Sequence, residues 1–160
     1  MYYNCKSITS VTLSNINGGK QMFKETFIEC TNITTVNISF DIVDDYTAQN
    51  MFYHCTALTS ITLSILAIKY ETVTNDGETK TVYAENCCNS MFSNCTGLRT
   101  INNTITFGEN VYLTKEFCSY MFNNCTSLNT VSITLPFFGD TTNPNGTEDK
   151  RGNGACRNMF

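Results

Sequence analysis

The sequence predicts an α/β repeat solenoid, with stacked short parallel strands, short helices on the opposite side and β-hairpin inserts. Three observations lead there. Five of the nine cysteines recur in one local context, a Met-aromatic pair stands upstream of them, and an L-x-x-L-x-L pattern follows them. A period of 20–50 residues carried through a whole chain is the mark of repeat architecture.

The cysteine contexts are Asn4-Cys5-Lys6, Glu29-Cys30-Thr31, His54-Cys55-Thr56, Asn94-Cys95-Thr96 and Asn124-Cys125-Thr126, at steps of 25, 25, 40 and 30 residues. The upstream pair is Met51-Phe52, Met91-Phe92 and Met121-Phe122, with Met1-Tyr2 and Thr26-Phe27 as weaker copies. Phe23, Ala48, Cys88 and Cys118 stand earlier in the same motif. Cys88, Met91, Phe92 and Cys95 fall at i, i+3, i+4 and i+7, which is one face of a helix, and the other units repeat the spacing. Each unit is therefore expected to carry a helix of about two turns with a narrow apolar stripe.

Downstream the period changes. Ile8, Val11 and Leu13 are followed in later units by Ile33, Val36 and Ile38, by Leu58, Ile61 and Leu63, and by Leu128, Val131 and Ile133. In the fourth unit Leu98 and Ile101 fit, and Asn103 replaces the last apolar residue. Thr-rich, β-branched alternation of this kind reads as a short strand. The full string from Met51 to Leu63, Met-Phe-Tyr-His-Cys-Thr-Ala-Leu-Thr-Ser-Ile-Thr-Leu, resembles the BspA-like (Treponema-type) branch of the leucine-rich repeats. The resemblance covers essentially the whole chain and departs from that branch through inserts of unequal length. It implies a leucine-rich-repeat solenoid over residues 1–160, used at a cell surface or outside the cell for adhesion or protein contact. It implies no active site inherent to the repeat.

Between strand and next helix the units differ, and insertions in solenoids map to one face, often the binding face. The longest insert, Ser64 to Cys87, holds two alternating runs around Asn75-Asp76-Gly77 and reads as a β-hairpin. In it Lys69, Glu71, Glu78 and Lys80 form a cross-strand charge pattern. Thr104–Phe107 and Val111–Thr114, split by Gly108-Glu109-Asn110, suggest a shorter hairpin. The stretch from Leu135 to Ala155 holds Phe137-Phe138 and then Asp, Asn, Thr and Gly, which reads as a loop. Its Asp140–Asp149 segment lacks the EF-hand order of calcium ligands. Tyr70, Tyr83, Phe107, Tyr112, Phe137 and Phe138 are the candidate partner-contacting aromatics of these inserts.

Composition narrows the function. A net charge of −4 and a pI near 4.9 argue against a nucleic-acid partner, which wants a basic face. No apolar run approaches the ~20 residues of a membrane span, and no basic-then-apolar leader follows Met1. The 9 Cys, 25 Thr and 20 Asn find positions in the repeat. Cysteine serves as a small buried apolar residue, with one or more disulfides as the alternative, Cys87 and Cys88 being the first candidates. Zinc fits less well, because Cys88 and Cys95 do not have ligand spacing. A catalytic thiol would need a base, and His54 is the only histidine. No cofactor or metal is called for. Asn and Thr suit the turns after each stripe. The wet side of the strands carries Ser10, Thr12, Thr35, Asn37, Ser60, Thr62, Thr100, Asn102, Thr130 and Ser132, a short-hydroxyl surface that could bind a glycan or protein.

Solenoids normally carry polar caps, and none is legible here. The chain opens inside a motif at Met1-Tyr2 and stops inside the equivalent one at Met159-Phe160. Those four residues are therefore candidate end-to-end contacts, in a fragment of a longer array or in head-to-tail self-association. The expected function is a non-enzymatic extracellular or cell-surface interaction and adhesion module. Its partner would be a protein or glycan on a host or neighbouring cell. The alternative is a structural protein polymerised into a filament, or a component of a phage or virus particle.

Overall fold

The computed structural model describes residues 2–111, 114–135 and 155–160. Its main sheet has four parallel strands in the order β1(Ser10–Asn17), β2(Thr35–Ile42), β3(Ser60–Ala67) and β7(Ile105–Asn110). A projecting antiparallel pair, β4(Tyr70–Asn75) and β5(Glu78–Tyr83), separates β3 from β6(Thr100–Asn102), which pairs in parallel with β8(Thr130–Ser132). The repeat period sets the register. Val11, Val36 and Ile61 are ladder neighbours, as are Leu13, Ile38 and Leu63. Ile101 stands beside Val131. Side-chain alternation along a strand then sends these residues to one face and the intervening Ser, Thr and Asn to the other. Val36, Ile38, Phe40, Ile61, Leu63 and Ile65 are buried, and Ser10, Thr35 and Ser60 are exposed.

The Cys/Met/Phe stripe is buried as a stripe should be, yet its backbone is not helical. Residues 20–29, 45–54, 87–94 and 115–124 are consecutive turns, and no α-helix occurs among the described residues. A left-handed residue recurs every fourth position: Gln21, Glu25 and Glu29; Tyr46, Asn50 and His54; Asn86, Ser90 and Asn94; Glu116, Tyr120 and Asn124, all with φ between 51° and 61°. Each such residue reverses the curl of the preceding right-handed turn, so the segment advances like a strand. Its amides then divide between two tasks. In the third coil Met51, Tyr53 and Cys55 donate locally to the carbonyls of Ala48, Asn50 and Phe52. The alternate amides of Ala48, Asn50, Phe52 and His54 donate to Cys87, Asn89, Met91 and Ser93 of the next coil at 2.7–3.0 Å.

This arrangement explains why a helix was the natural expectation and why it does not form. A repeat of four keeps i beside i+4 and i+3 beside i+7, so over two turns its apolar stripe coincides with that of a 3.6-residue period. A helix of two turns is unstable alone, and its free amides would point along the axis at one end rather than sideways to a neighbouring coil. The turn run leaves half of its amides for the neighbouring coil, and buried backbone donors are almost always paired.

Two further expectations change. Among the described residues of the segment 104–114 no second hairpin turn forms at Gly108-Glu109-Asn110, which lie in a strand. Gly108 and Glu109 lie within β7, which runs parallel to β3 with Leu63 beside Ile105 and Ile65 beside Phe107. The glycine is there for close approach, since a Cβ on Gly108 would strike the Leu66 backbone. In the same coil the place taken by Leu63 one coil earlier falls to Ile105 rather than Asn103. Asn103 adopts φ 54°, a conformation asparagine tolerates, and the kink carries the chain two residues on before it rejoins β3. The longest insert does form the hairpin read from its sequence. Asp76 (φ 51°) and Gly77 (φ 80°) make its turn, two positive angles as a type I′ hairpin turn requires.

The core lies between the sheet and the turn layer and is continuous from Val11 to Met159. Its spine is a row of rings, one per coil: Tyr2, Phe27, Phe52, Phe92, Phe122 and Phe160. Successive centroids are 5.5, 5.2, 5.6, 5.7 and 5.9 Å apart, and no pair is tilted by more than 13°. At these distances the rings are offset-stacked, the favoured geometry.

Candidate interaction surfaces

The residues with the most reactive chemistry are spent on the interior. All nine cysteines are free thiols. Four of them donate to the carbonyl of the ring residue in a preceding coil: Cys30 to Tyr2 (2.7 Å), Cys55 to Phe27 (3.2 Å), Cys95 to Phe52 (3.3 Å) and Cys125 to Phe92 (3.2 Å). The Phe27, Phe52 and Phe92 carbonyls also accept the amides of Cys30, Cys55 and Cys95 in their own coils, so the thiol from the next coil is a second donor and the cysteine is both core filler and hydrogen-bond donor. This donor role was invisible in a periodicity that marked only burial. Burial pushes the thiols of Cys55 and Cys88 up to about 12 and that of Cys125 up to about 11. Desolvation raises Cys87, Cys95 and Cys118 in the same direction.

His54 is exposed, sits at φ 61° and meets the Tyr53 ring edge-on. The adjacent Cys55 thiol points inward to the Phe27 carbonyl, so the two side chains are on opposite sides of the turn layer. Among the described residues no three His, Cys, Asp or Glu side chains are grouped to hold a metal ion. The Asp140–Asp149 segment lies outside the described residues.

The charges cluster at the hairpin root. Lys69 binds Asp44 at 2.6 Å and approaches Glu71 at 3.8 Å, Lys20 binds Asp45 at 3.0 Å, and Lys115 binds Glu85 at 3.3 Å. Hydrogen bonding to Asp44 and Asp45 raises the pKa of Lys69 and Lys20 respectively. The second Asp45 oxygen accepts the Glu85 amide, tying the third coil to the fourth. These cations are matched by carboxylates, so the small cleft between Lys20, Asp45, Tyr70 and Tyr83 has little net charge. The cluster fastens the hairpin: Lys69 also donates its amide to Val43 and accepts that of Ala84.

The candidate aromatics separate. Tyr70 and Tyr83 are cross-strand neighbours with rings 5.8 Å apart, and Tyr70 is 62% exposed. Every residue of β4 is exposed. One hairpin face joins these tyrosines to Thr72, Thr81, Thr74 and Thr79, with no charge among them. Phe107 does not share this surface. It packs against Phe117 at 6.1 Å, partly buried in the core. Tyr112, Phe137, Phe138 and Met1 lie outside the described residues. Tyr2 and Phe160 occupy opposite ends of the ring row, 53% and 61% exposed, and Met159 is buried. The remaining broad surface is the polar side of the strands. Comparison with protein-family models, curated proteins and solved structures finds no match to this chain.

Proposed function

We propose that the chain is a leucine-rich-repeat solenoid of the BspA-like kind, acting as a non-enzymatic interaction and adhesion module outside the cell or at its surface. The observation that carries this reading is the projecting β4–β5 hairpin, whose β4 strand is exposed throughout and whose root is fastened at Lys69 and Ala84. A two-stranded hairpin is marginal in water by itself. One that presents tyrosine and threonine on an uncharged face suits contact with a partner, because tyrosine gives large contact area at low entropic cost. The buried thiols and paired charges support the same reading, since both serve the architecture. The partner is a protein or glycan on a host or neighbouring cell.

The test replaces Tyr70–Tyr83 by Asn-Gly, a change the adjacent Lys69 and Ala84 backbones accommodate. The intact chain is expected to bind cells or extracellular-matrix protein, and the shortened chain to keep its circular dichroism and lose that binding. Equal binding by both would remove the hairpin from the proposal. A structural role, with copies joined head to tail in a filament or in a phage or virus particle, is the second reading. It is favoured by the exposed Tyr2 and Phe160 rings, which continue the stack's geometry outward. Electron microscopy of concentrated protein tests it: long unbranched assemblies support it, and dispersed particles contradict it.

A further inference from the structure

We infer that Cys5 and Cys30 are a redox-modifiable pair, which a small-molecule disulfide closes into a covalent link between the first two coils. The turn layer stacks one cysteine per coil in a row: Cys5, Cys30, Cys55, Cys95 and Cys125. Its backbone ladder sets Cys5 beside Cys30, because the Tyr2 and Asn4 amides donate to the Thr26 and Ile28 carbonyls at 2.7 and 2.9 Å. Neighbours in such a ladder lie about 4.8 Å apart, inside the Cα separation of roughly 4.4–6.8 Å that a disulfide spans. The side chains meet as well. The Cys30 sulfur accepts from the Cys5 amide and lies within hydrogen-bonding reach of the Cys5 thiol. Cys5 is half-buried and open to a small reagent, whereas Cys30 behind it is fully buried.

Place in the fold singles out this pair. Cys55 and Cys95 stack in the same way but expose no surface, so an oxidant does not reach them in the folded chain. Cys87 and Cys88 are also fully buried, and consecutive Cα atoms stand only about 3.8 Å apart, too close for an unstrained bridge between them. At the far end the Cys118 amide reaches the Ala155 carbonyl, which sets Cys118 beside half-buried Cys156. Burial there pushes the Cys118 thiol well above its ordinary value, which leaves little thiolate to complete an exchange. At Cys30 burial also raises the value, but the Cys5 amide opposes it. The exchange runs in two steps. The Cys5 thiolate attacks a disulfide such as oxidised glutathione, forming a mixed disulfide and releasing one glutathione thiol. The Cys30 thiolate then attacks the Cys5 sulfur and releases the second. One S–S bond replaces another, the two cysteines give up two electrons, and their two protons end on the glutathione thiols. The Cys30 thiol gives up its hydrogen bond to the Tyr2 carbonyl. In return the link fastens a lightly held segment. Among the described residues only the Tyr2 and Asn4 amides tie turn residues 2–4 to the second coil, whereas Gln21, Phe23, Glu25, Phe27 and Glu29 all tie the second coil to the third. Outside the cell, where the chain is proposed to act, such links form and persist; the geometry of the pair does not depend on that location.

The experiment incubates the folded full chain with oxidised glutathione at pH ~8, where thiols exchange readily, quenches it with acid, and maps the peptides by mass spectrometry. The expected product is lighter by two hydrogen atoms and yields one linked peptide pair joining Cys5 to Cys30, the other thiols staying free. Hydrogen exchange at the Asn4 amide should slow by at least ~10-fold on oxidation, because local opening of the first coil is then tethered. Cys5→Ser, at a half-buried position, should keep the circular dichroism and abolish both effects. Absence of any link, a mixed disulfide on Cys5 that is never resolved, a link that leaves out Cys5 or Cys30, or one that forms only in urea overturns the inference. Its failure is distinguishable from that of the adhesion reading. Cell binding by a chain that forms no link would leave adhesion standing alone, and a link formed in a chain that binds no cell would leave the thiol pair standing alone.

Discussion

Substitution at one left-handed turn position separates tandem turns from helices by the sign of its effect. Glu25 lies at φ 59°, and its counterpart one coil on, Asn50, at φ 53°. Their equivalence follows from the ladder, in which the Glu25 amide reaches Gln49 and the Asn50 amide reaches Asn89. A residue with a Cβ pays roughly 1–2 kcal/mol to adopt this region, and asparagine and glycine visit it more readily. Glu25→Asn should therefore stabilise by about 0.5–1 kcal/mol, and Asn50→Ala should destabilise by about 1 kcal/mol. Inside a helix the order inverts. Asparagine is a poorer helix former than glutamate and alanine is the best, so the same changes would cost and gain several tenths of a kcal/mol, ~0.5 each. Urea titration followed by circular dichroism measures both. The expected result is a raised midpoint for Glu25→Asn and a lowered one for Asn50→Ala, at unchanged slope. The opposite pair of signs would refute the turn assignment.

Three further outcomes follow from the packing and the thiols. Phe52→Ala removes a fully buried ring stacked on both sides and should cost about 3–5 kcal/mol; Tyr2→Ala, at the exposed end of the row, should cost about 1 kcal/mol or less by the same titration. Gly97→Ala would place a Cβ 2.5 Å from the Thr56 carbonyl oxygen and should cost about 1–3 kcal/mol, measured as a fall in thermal midpoint. Alkaline stability should be limited by the cysteines. The folded thiols of Cys55, Cys88 and Cys125 titrate at about 12, 12 and 11, and unfolded thiols near 8.5. Between those values the native state holds protons that the unfolded state has released, so this contribution is complete below pH ~8.5 and is lost as pH rises toward the folded values. The three thiols together should lower stability by about 4 kcal/mol per pH unit in that window. Cys55→Ala should reduce the slope by one thiol's share; an unchanged slope in pH-dependent urea titrations would contradict the assignment.

The sequence disclosed what burial controls and concealed what backbone dihedrals control. Val11, Val36 and Ile61 could be aligned by eye because the ladder requires one apolar residue per coil at that point. The Phe row was legible for the same reason, through the Met-Phe pairs. The hairpin was legible because Asn75-Asp76-Gly77 supplies the positive angles its turn needs. The turn layer was not. Asn50, Asn86, Asn94 and Asn124 hint at left-handed backbone, but Tyr46, Glu116 and Tyr120 occupy it with no compositional signal, and their apolar neighbours keep a helical spacing. Gly108 was read as a turn because glycine alone does not distinguish a positive φ from a close approach to Leu66. Of the candidate surfaces, Tyr70 and Tyr83 could be paired from the hairpin pattern, whereas the inward course of Phe107 depended on β7, which that reading of Gly108 removed. The polar side of the strands, Ser10, Thr12, Thr35, Asn37, Ser60 and Thr62, was named residue by residue, since strand alternation fixes it. That Thr34 and Thr59 spend their hydroxyls on the Thr9 and Thr34 carbonyls required the coordinates.

The stack of coils is tested most directly by nuclear Overhauser contacts between the rings of selectively labelled phenylalanine. Contacts are expected from Phe27 to Phe52, Phe52 to Phe92 and Phe92 to Phe122, pairs 25, 40 and 30 residues apart whose centroids lie 5.2–5.7 Å from each other. Absence of these contacts, with the rings meeting only residues three or four positions away in sequence, would contradict the account.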